Sequence, residues 1–317
     1  MRAHLYPHNH TKTREIPSTV TTPPAVAFVA GSKRGLVARF CEHVRLFSPR
    51  ARHWLYNHGT SLEQYDPSWQ TKAACRALAS GREAYVPMVY SLTTLAAQDS
   101  DAVHGARARA SILGMNEPTE HNNQSAQSVA AHWNAVESIA DRFSPPLLIG
   151  SPSPGGLDVH RSQRWLADFF QHCRQQRSQN APVHGCRVDF VAVHWYECDG
   201  RTASSAEASA RAMMSWLETI WRQSEHKPIW LTEFNCGDGA APQPYANQSA
   251  ANHLRFMKAA LPKLEAASFV QRYSWFQTWQ RHTPWHPGNN PGCSLTSLDG
   301  MAKSELGRFY DAFRLMS

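Results

Sequence analysis

Asp189-Phe190-Val191-Ala192-Val193-His194-Trp195-Tyr196 is an apolar run of strand length, and Pro228-Ile229-Trp230-Leu231-Thr232-Glu233-Phe234 is a second. Between them, residues 204–223 place Met213, Leu217 and Ile220 at helical spacing, with Trp221 beside them, the pattern of a helix with one buried face. A strand, a helix and another strand, with apolar residues on both faces of each strand, is the unit from which parallel sheets are built. Further strand-sized runs occupy 34–38, 52–57, 84–90, 111–115, 147–150 and 270–276, and helical periods cover 124–143, 161–177, 247–260 and 303–316. Eight strands alternating with helices predict an α/β fold, a single-domain (β/α)8 TIM barrel over 31–317. The polar, Pro- and Thr-containing residues before it read as a tail or extension over 1–30. An open doubly wound sheet is the competing arrangement. That fold announces itself with a Gly-rich first turn, and no GxGxxG, GxxxxGK[ST] or GxSxG occurs here.

Composition narrows the function classes. Of 317 residues, 42% are hydrophobic, so a full core can form, whereas only 18% are charged and 11 are Trp. This excludes a disordered chain, a collagen and a coiled coil, and no apolar run reaches the ~18 residues of a membrane span. A surface poor in charge but rich in amides and rings suits a neutral, polar ligand that stacks, and sugar is the first candidate. The net charge of +7 does not point to nucleic acid. The basic residues are dispersed, and Lys33, Arg34, Arg39, Arg45, Arg50 and Arg52 come nearest to a run. Seven cysteines without a CxxC pair argue against structural zinc and leave at least one thiol unpaired within the monomer. Sequons at Asn9, Asn123 and Asn247 hint at secretion, although residues 1–15 carry no apolar leader.

In a (β/α)8 barrel the chemistry sits at the C-terminal strand ends. Strand four ends in Leu113-Gly114-Met115-Asn116-Glu117-Pro118 and strand seven in Trp230-Leu231-Thr232-Glu233-Phe234-Asn235. Glu117 and Glu233 therefore face each other across one mouth. Two carboxylates in one cleft are what glycosidic cleavage needs, one protonated to release the leaving oxygen and one ionised to attack or to activate water. Either glutamate alone could as well cap a helix or pair with an arginine; the two together, on strands that oppose each other, make that reading weak. Strand alternation places His194 and Tyr196 on one face and Trp195 on the other, so Tyr196 is a candidate to hold Glu233 through its hydroxyl, with His194 beside it.

Asn-Glu-Pro on strand four with a glutamate on strand seven resembles clan A of the glycoside hydrolases, which are retaining (β/α)8 enzymes. An ordered set of segments is similar, more narrowly, to glycoside hydrolase family 128, the β-1,3-glucanases whose catalytic core is shared with fungal and plant wall-associated proteins. The set comprises Lys33-Arg34-Gly35-Leu36, Trp54-Leu55-Tyr56-Asn57, Tyr85-Val86-Pro87-Met88, Leu113 to Pro118, Asp189 to Tyr196, Leu231-Thr232-Glu233-Phe234 and Ser274-Trp275-Phe276. Met115 stands where that family more often has an aromatic residue. The resemblance implies that Glu117 is the general acid/base, that Glu233 is the nucleophile, and that Asn116 bonds the sugar 2-hydroxyl beside the scissile link.

Strand-end rings are the expected sugar platforms: Trp275 first, then Trp54 and Tyr56 with Asn57 beside them, and Trp279 and Trp285 in the loop after strand eight. Trp133, Trp165, Trp216 and Trp221 lie in helices and read as packing. Cys198 and Cys236 follow neighbouring strands and are placed to form a disulfide. A Cys/His nucleophile is disfavoured because the carboxylate pair already accounts for the site, and no HExxH occurs among the 17 histidines, so no catalytic metal and no cofactor are expected. The reading is a retaining, endo-acting β-1,3-glucanase, a monomer acting on β-glucan outside the cell or at the wall. The alternatives are a barrel that binds glucan without cleaving it, and a clan A hydrolase of another β-linked polysaccharide.

Overall fold

The computed structural model describes residues 32–48, 53–80, 85–98, 111–120, 123–179, 185–237, 248–279 and 291–314. The expectations for residues 1–30 and for Trp285, Asn9 and Asn247 lie outside them. The described residues hold seven strands: β1 (Arg34–Val37), β2 (Trp54–Tyr56), β3 (Ser111–Ile112), β4 (Leu148–Ile149), β5 (Val191–Trp195), β6 (Ile229–Phe234) and β7 (Val270–Trp275). The helices are α1 (Cys41–Val44), α2 (Ser68–Thr71), α3 (Ala73–Ser80), α4 (Leu92–Gln98), α5 (Ala126–Ala131), α6 (Trp133–Ala140), α7 (Val159–Gln179), α8 (Ala203–Gln223), α9 (Ala250–Ala266) and α10 (Glu305–Ala312). The fold is α/β with parallel strands.

Five strands pair in the order β2-β1-β7-β6-β5, and β3 pairs with β4; all of these pairings are parallel. Single parallel bridges supply the remaining connections. Leu55 pairs with Tyr85 and Met88 with Leu113, which joins β2 to β3 through residues 85–88, and Gly150 pairs with Phe190, which joins β4 to β5. The run expected as a strand over 84–90 is thus present as bridged backbone, because Pro87 has no N–H to give to a ladder. Parallel pairing passes from β2 through 85–88, β3 and β4 to β5, and returns through β6, β7 and β1. Every strand therefore delivers its C-terminal end to the same side.

The helices follow the apolar periods, with three adjustments. The period over 124–143 breaks at His132, whose φ of −107° and ψ of 8° leave the helical region and separate α5 from α6. The helix expected over 247–260 begins at Ala250 and continues to Ala266 across Pro262, with Leu261 and Leu264 buried. The period over 303–316 yields the shorter α10, started by the Ser304 hydroxyl, which accepts from the Gly307 N–H. Helix α8 is started by a capping box: the Thr202 hydroxyl accepts from the Ser205 N–H, and the Ser205 hydroxyl from the Thr202 N–H. Its buried stripe of Ala206, Ala210, Met213, Leu217 and Ile220 contributes about 1.5–3 kcal/mol for each large side chain covered.

Below the strand ends the interior is filled by rings. Trp54 on β2 lies 5.5 Å from Trp230 on β6, and Phe190 stacks on Trp230 at 3.8 Å. Strands β2 and β6 are not neighbours, so these contacts cross the concave side of the sheet. Arg272 closes the layer, its guanidinium 4.3 Å above the Trp230 ring, and burial lowers its pKa to about 10. Glycine makes the room. A Cβ on Gly35 would lie 2.3 Å from the Trp54 indole, and one on Gly150 would lie 2.5 Å from the Phe190 ring.

Candidate active site

Alternation turns Trp54 and Tyr56 of β2 to the concave side, and His58, two residues past the strand at a φ of +64°, reaches the site from the loop that follows. The Tyr56 hydroxyl donates to the Thr232 carbonyl at 2.8 Å and lies 3.5 Å from Glu233 Oε1. His194 and Tyr196 occupy the same side at the end of β5. On β6 alternation alone would turn Glu233 away, since Trp230 and Thr232 already face inward. The strand carries an extra residue there. Val193 pairs with Leu231 but His194 with Glu233, and Leu231 pairs with Tyr273 but Phe234 with Trp275. This bulge at Thr232 and Glu233 re-aims the carboxylate into the site and then restores the outward phase at Phe234. Glu117, beyond β3, takes a φ of +40°, a strained conformation for a side chain of its size, and its N–H donates to the Ser153 carbonyl at 2.8 Å.

The two glutamates meet. Nδ1 of His194 donates to Glu117 Oε1 at 2.8 Å and lies 3.6 Å from Glu233 Oε2. The Tyr196 hydroxyl donates to Glu233 Oε2, and His58 Nε2 donates to Glu233 Oε1 at 2.7 Å. One carboxylate oxygen from each glutamate and a ring nitrogen of His194 lie within 4.8 Å of one another. Glu117, Glu233, His58 and His194 are all buried.

This geometry sets the charges. Burial pushes the Glu233 carboxyl up, but the His194 charge and the His58 hydrogen bond outweigh it and leave the group below the ordinary carboxylate range. Burial also opposes a charge on His194, yet Glu233 and Glu117 together raise its pKa, so the imidazolium is favoured. His58 goes the other way, because burial outweighs its one carboxylate partner and keeps the ring neutral. These directions favour an ionised Glu233, a protonated His194 shared between the carboxylates and a neutral His58. Among the described residues, Glu117, His194 and Glu233 are also the one trio of metal-ligand type at this spacing. Both Glu233 oxygens, however, already accept from protein donors, and the His194 proton fills the gap between the carboxylates.

Residues 37–310 match the family described as glycosyl hydrolase catalytic core. The chain belongs to that family. It is 22% identical over 297 residues to alkali-sensitive linkage protein 1 of Schizosaccharomyces pombe, a match covering 92% of this chain and 45% of that protein. The chain thus spans a little under half the length of this curated relative. Among solved structures, it is similar to a subgroup II endo-β-1,3-glucanase of glycoside hydrolase family 128 from Sorangium cellulosum, with a TM-score of 0.63, 29% identity and coverage of 88% of this chain and 97% of that one. It has the fold of a subgroup I endo-β-1,3-glucanase mutant from Amycolatopsis mediterranei in complex with laminarihexaose, with a TM-score of 0.61, 23% identity and coverage of 89% and 99%.

In this member of the family the structure brings together Glu117, Glu233, His194, Tyr196 and Tyr56. Asn116 sits beside them, buried, with its N–H on the Tyr90 carbonyl at 2.9 Å. The expected platforms are different. Trp54 belongs to the ring layer below, its Nε1 bonded to the Lys33 carbonyl at 3.0 Å. Tyr56 is fully buried and stacked on Trp54, which makes it a prop beneath Glu233 instead of a sugar platform. Asn57 spends its amide on its own loop, donating to the Ser61 and Leu62 carbonyls and accepting from the Tyr85 hydroxyl and the Gly59 N–H. Trp275 points outward against Phe256 and His253 of α9 and bonds the Cys293 carbonyl at 2.7 Å. The ring that faces the site is its neighbour Phe276, 6.1 Å from His58 and 6.0 Å from Tyr196. Trp279 packs beside Phe40 and His43 and donates to the Leu298 carbonyl. His58 is the site residue that the strand-end search missed. It lies past the end of β2 in a left-handed backbone conformation, so strand parity did not announce it.

Disulfides join Cys41 to Cys75, Cys173 to Cys186 and Cys198 to Cys236, and Cys293 is buried outside these three bridges.

Proposed function

We propose that this chain is a retaining, endo-acting β-1,3-glucanase whose closed circuit of parallel pairing is a (β/α)8 barrel over 31–317, with 1–30 an extension. The observation that carries the mechanism is the spacing of Glu117 and Glu233. One oxygen of each glutamate within 4.8 Å of the other supports the short separation of retaining enzymes, roughly 5–5.5 Å, over the ~6.5–9.5 Å of inverting ones. Glu233, ionised and oriented by His58 and Tyr196, attacks the anomeric carbon. Glu117 delivers a proton to the departing glycosidic oxygen, and then as a carboxylate takes one from the water that hydrolyses the glycosyl ester. Asn116 bonds the sugar 2-hydroxyl, and Phe276, half-buried above His58 and Tyr196, packs on the sugar. The linkage and the endo action rest on the activity of the Sorangium cellulosum relative.

A single chain supplies both glutamates, so a monomer suffices. Three disulfides belong in an oxidising compartment, in keeping with action outside the cell or at the wall. The test is proton NMR of laminari-oligosaccharide hydrolysis, with Glu233→Ala as control. The β-anomer should appear first, and the variant should bind oligosaccharide without turning it over. First appearance of the α-anomer would overturn retention, near-normal turnover by Glu233→Ala would overturn the nucleophile, and binding without products by the unaltered protein would overturn hydrolysis altogether.

A further inference from the structure

The bridge between Cys198 and Cys236 lies behind the site, not in it. Cys198 follows Tyr196 by two residues and Cys236 follows Glu233 by three, and both sulfurs are fully buried. The Tyr196 hydroxyl donates to the Glu233 carboxylate on the other side of the same two strand ends. The chain therefore closes a small ring: Tyr196 to Cys198, across the disulfide to Cys236, back to Glu233, and across the hydrogen bond to Tyr196. Further contacts hold the same corner. The Cys198 N–H donates to the Tyr196 carbonyl at 3.0 Å, the Asn235 N–H to the Trp195 carbonyl at 3.3 Å and the Cys236 N–H to His253 Nδ1 at 3.1 Å. Burial holds the His253 pKa down to about 3, so its ring is neutral and its Nδ1 accepts this bond.

The need for such a clamp is local. The bulge at Thr232 and Glu233 interrupts the ladders on both sides of β6 just where the nucleophile sits. A bulged strand end has fewer ladder bonds to fix its twist, while a nucleophile displaced by about 1 Å can lose on the order of a hundredfold in rate.

We infer that the Cys198–Cys236 disulfide is a positioning element for Glu233, holding the bulged end of β6 in register with Tyr196 at the end of β5. The inference rests on the proposed role of Glu233. Its function is separate from stabilisation of the chain as a whole, and the molecule contains the control that divides the two. Cys41–Cys75 spans 34 residues and Cys198–Cys236 spans 38. By the loop-closure argument the two bridges constrain the unfolded chain almost equally.

The test compares Cys198→Ala/Cys236→Ala with Cys41→Ala/Cys75→Ala in thermal unfolding and in steady-state hydrolysis of a laminari-oligosaccharide. Both pairs should lower Tm by similar amounts. Only the first should lower kcat, by about ten- to a hundredfold, with KM within about twofold. Combined with Tyr196→Phe, its loss should be smaller than the product of the two separate losses, because both act on one geometry. Equal kcat in the two double variants, or a loss that multiplies fully with Tyr196→Phe, overturns the proposal. If the first variant does not fold, graded reduction of the unaltered protein by dithiothreitol takes its place, with thiols mapped by mass spectrometry. Activity must then fall in step with opening of Cys198–Cys236; a fall in step with either other bridge overturns it. Glu233→Ala keeps the two readings apart. Should that variant remain active, the nucleophile assignment fails; should it be dead while bridge loss is harmless, only the positioning role fails.

Discussion

Replacing His58 by Asn tests the electrostatics of the site most directly. His58 lies at a φ of +64°, a region that Asn tolerates and Ala does not, so the backbone should survive while the shorter side chain gives up the contact with Glu233. That contact is a 2.7 Å hydrogen bond from a neutral ring to an ionised carboxylate, both buried. Hydrogen bonds to charged groups contribute about 1.5–3 kcal/mol, and here the benefit goes to the ionised form of Glu233 alone. The other groups facing Glu233, namely Tyr56, His194, Tyr196 and Glu117, are unchanged. The sign follows. Glu233 is held below the usual carboxylate range and stays ionised into mild acid; without His58 it binds its proton more tightly, and the acid limb of kcat/KM moves toward neutral pH. At 1.36 kcal/mol per decade, kcat/KM on the acid side should fall about ten- to a hundredfold relative to the unaltered enzyme, and the gap should narrow at higher pH. The assay is a pH profile of kcat/KM on one laminari-oligosaccharide for both proteins. An unmoved acid limb, or a loss equal at every pH, would refute the reasoning.

Trp275→Ala should destabilise the protein by about 3–5 kcal/mol with little change in the KM of the folded fraction. Phe276→Ala should do the reverse, raising KM with a small change in Tm; thermal unfolding and steady-state kinetics read the pair. Gly150→Ala puts a methyl 2.5 Å from the Phe190 ring and should cost about 1–3 kcal/mol in urea unfolding. Asp311 accepts from His53 Nε2, Lys303 Nζ and the Ser48 N–H; burial pushes its carboxyl up, but these bonds hold it well below the usual range. Its stabilisation is therefore complete above the unfolded value of about 3.9 and is lost as pH falls below that. Asp311→Asn should lower stability at neutral pH by about 3 kcal/mol, and its deficit should shrink in acid unfolding.

The unit β5–α8–β6 was legible because both of its signals are local, an apolar run of strand length and a helical period with one face. The same signals marked residues 84–90 as a strand, where Pro87 reduces the pairing to single bridges. The strand-end rule led to Glu117 and Glu233 for a topological reason: parallel strands must end on one side. The orientation of Glu233 was not legible, because it depends on an extra residue in β6, and a bulge shows only when the neighbouring strands are aligned. Where each ring lies depends on phase and height along its strand. Arg272, Ser274 and Phe276 share one phase of β7, and Trp275, despite its size, has the other. Trp54 has the right phase but the wrong height, two residues below Tyr56 and four below His58.

The two histidines explain how one site can serve both halves of the proposed reaction. His58 and Tyr196 donate to Glu233 alone, so they stabilise its charge before attack and again when it leaves the glycosyl ester. Taken alone, they make it a weaker nucleophile and a better leaving group. His194 offsets this because it is shared. Its charge lies 2.8 Å from Glu117 and 3.6 Å from Glu233, so when Glu233 becomes a neutral ester and Glu117, having given up its proton, becomes the carboxylate, the cation is already closer to the group that gains the charge. The shift of negative charge from one glutamate to the other then needs no movement of the ring. Electrostatic stabilisation works in this way when the dipoles and charges are set before the reaction begins.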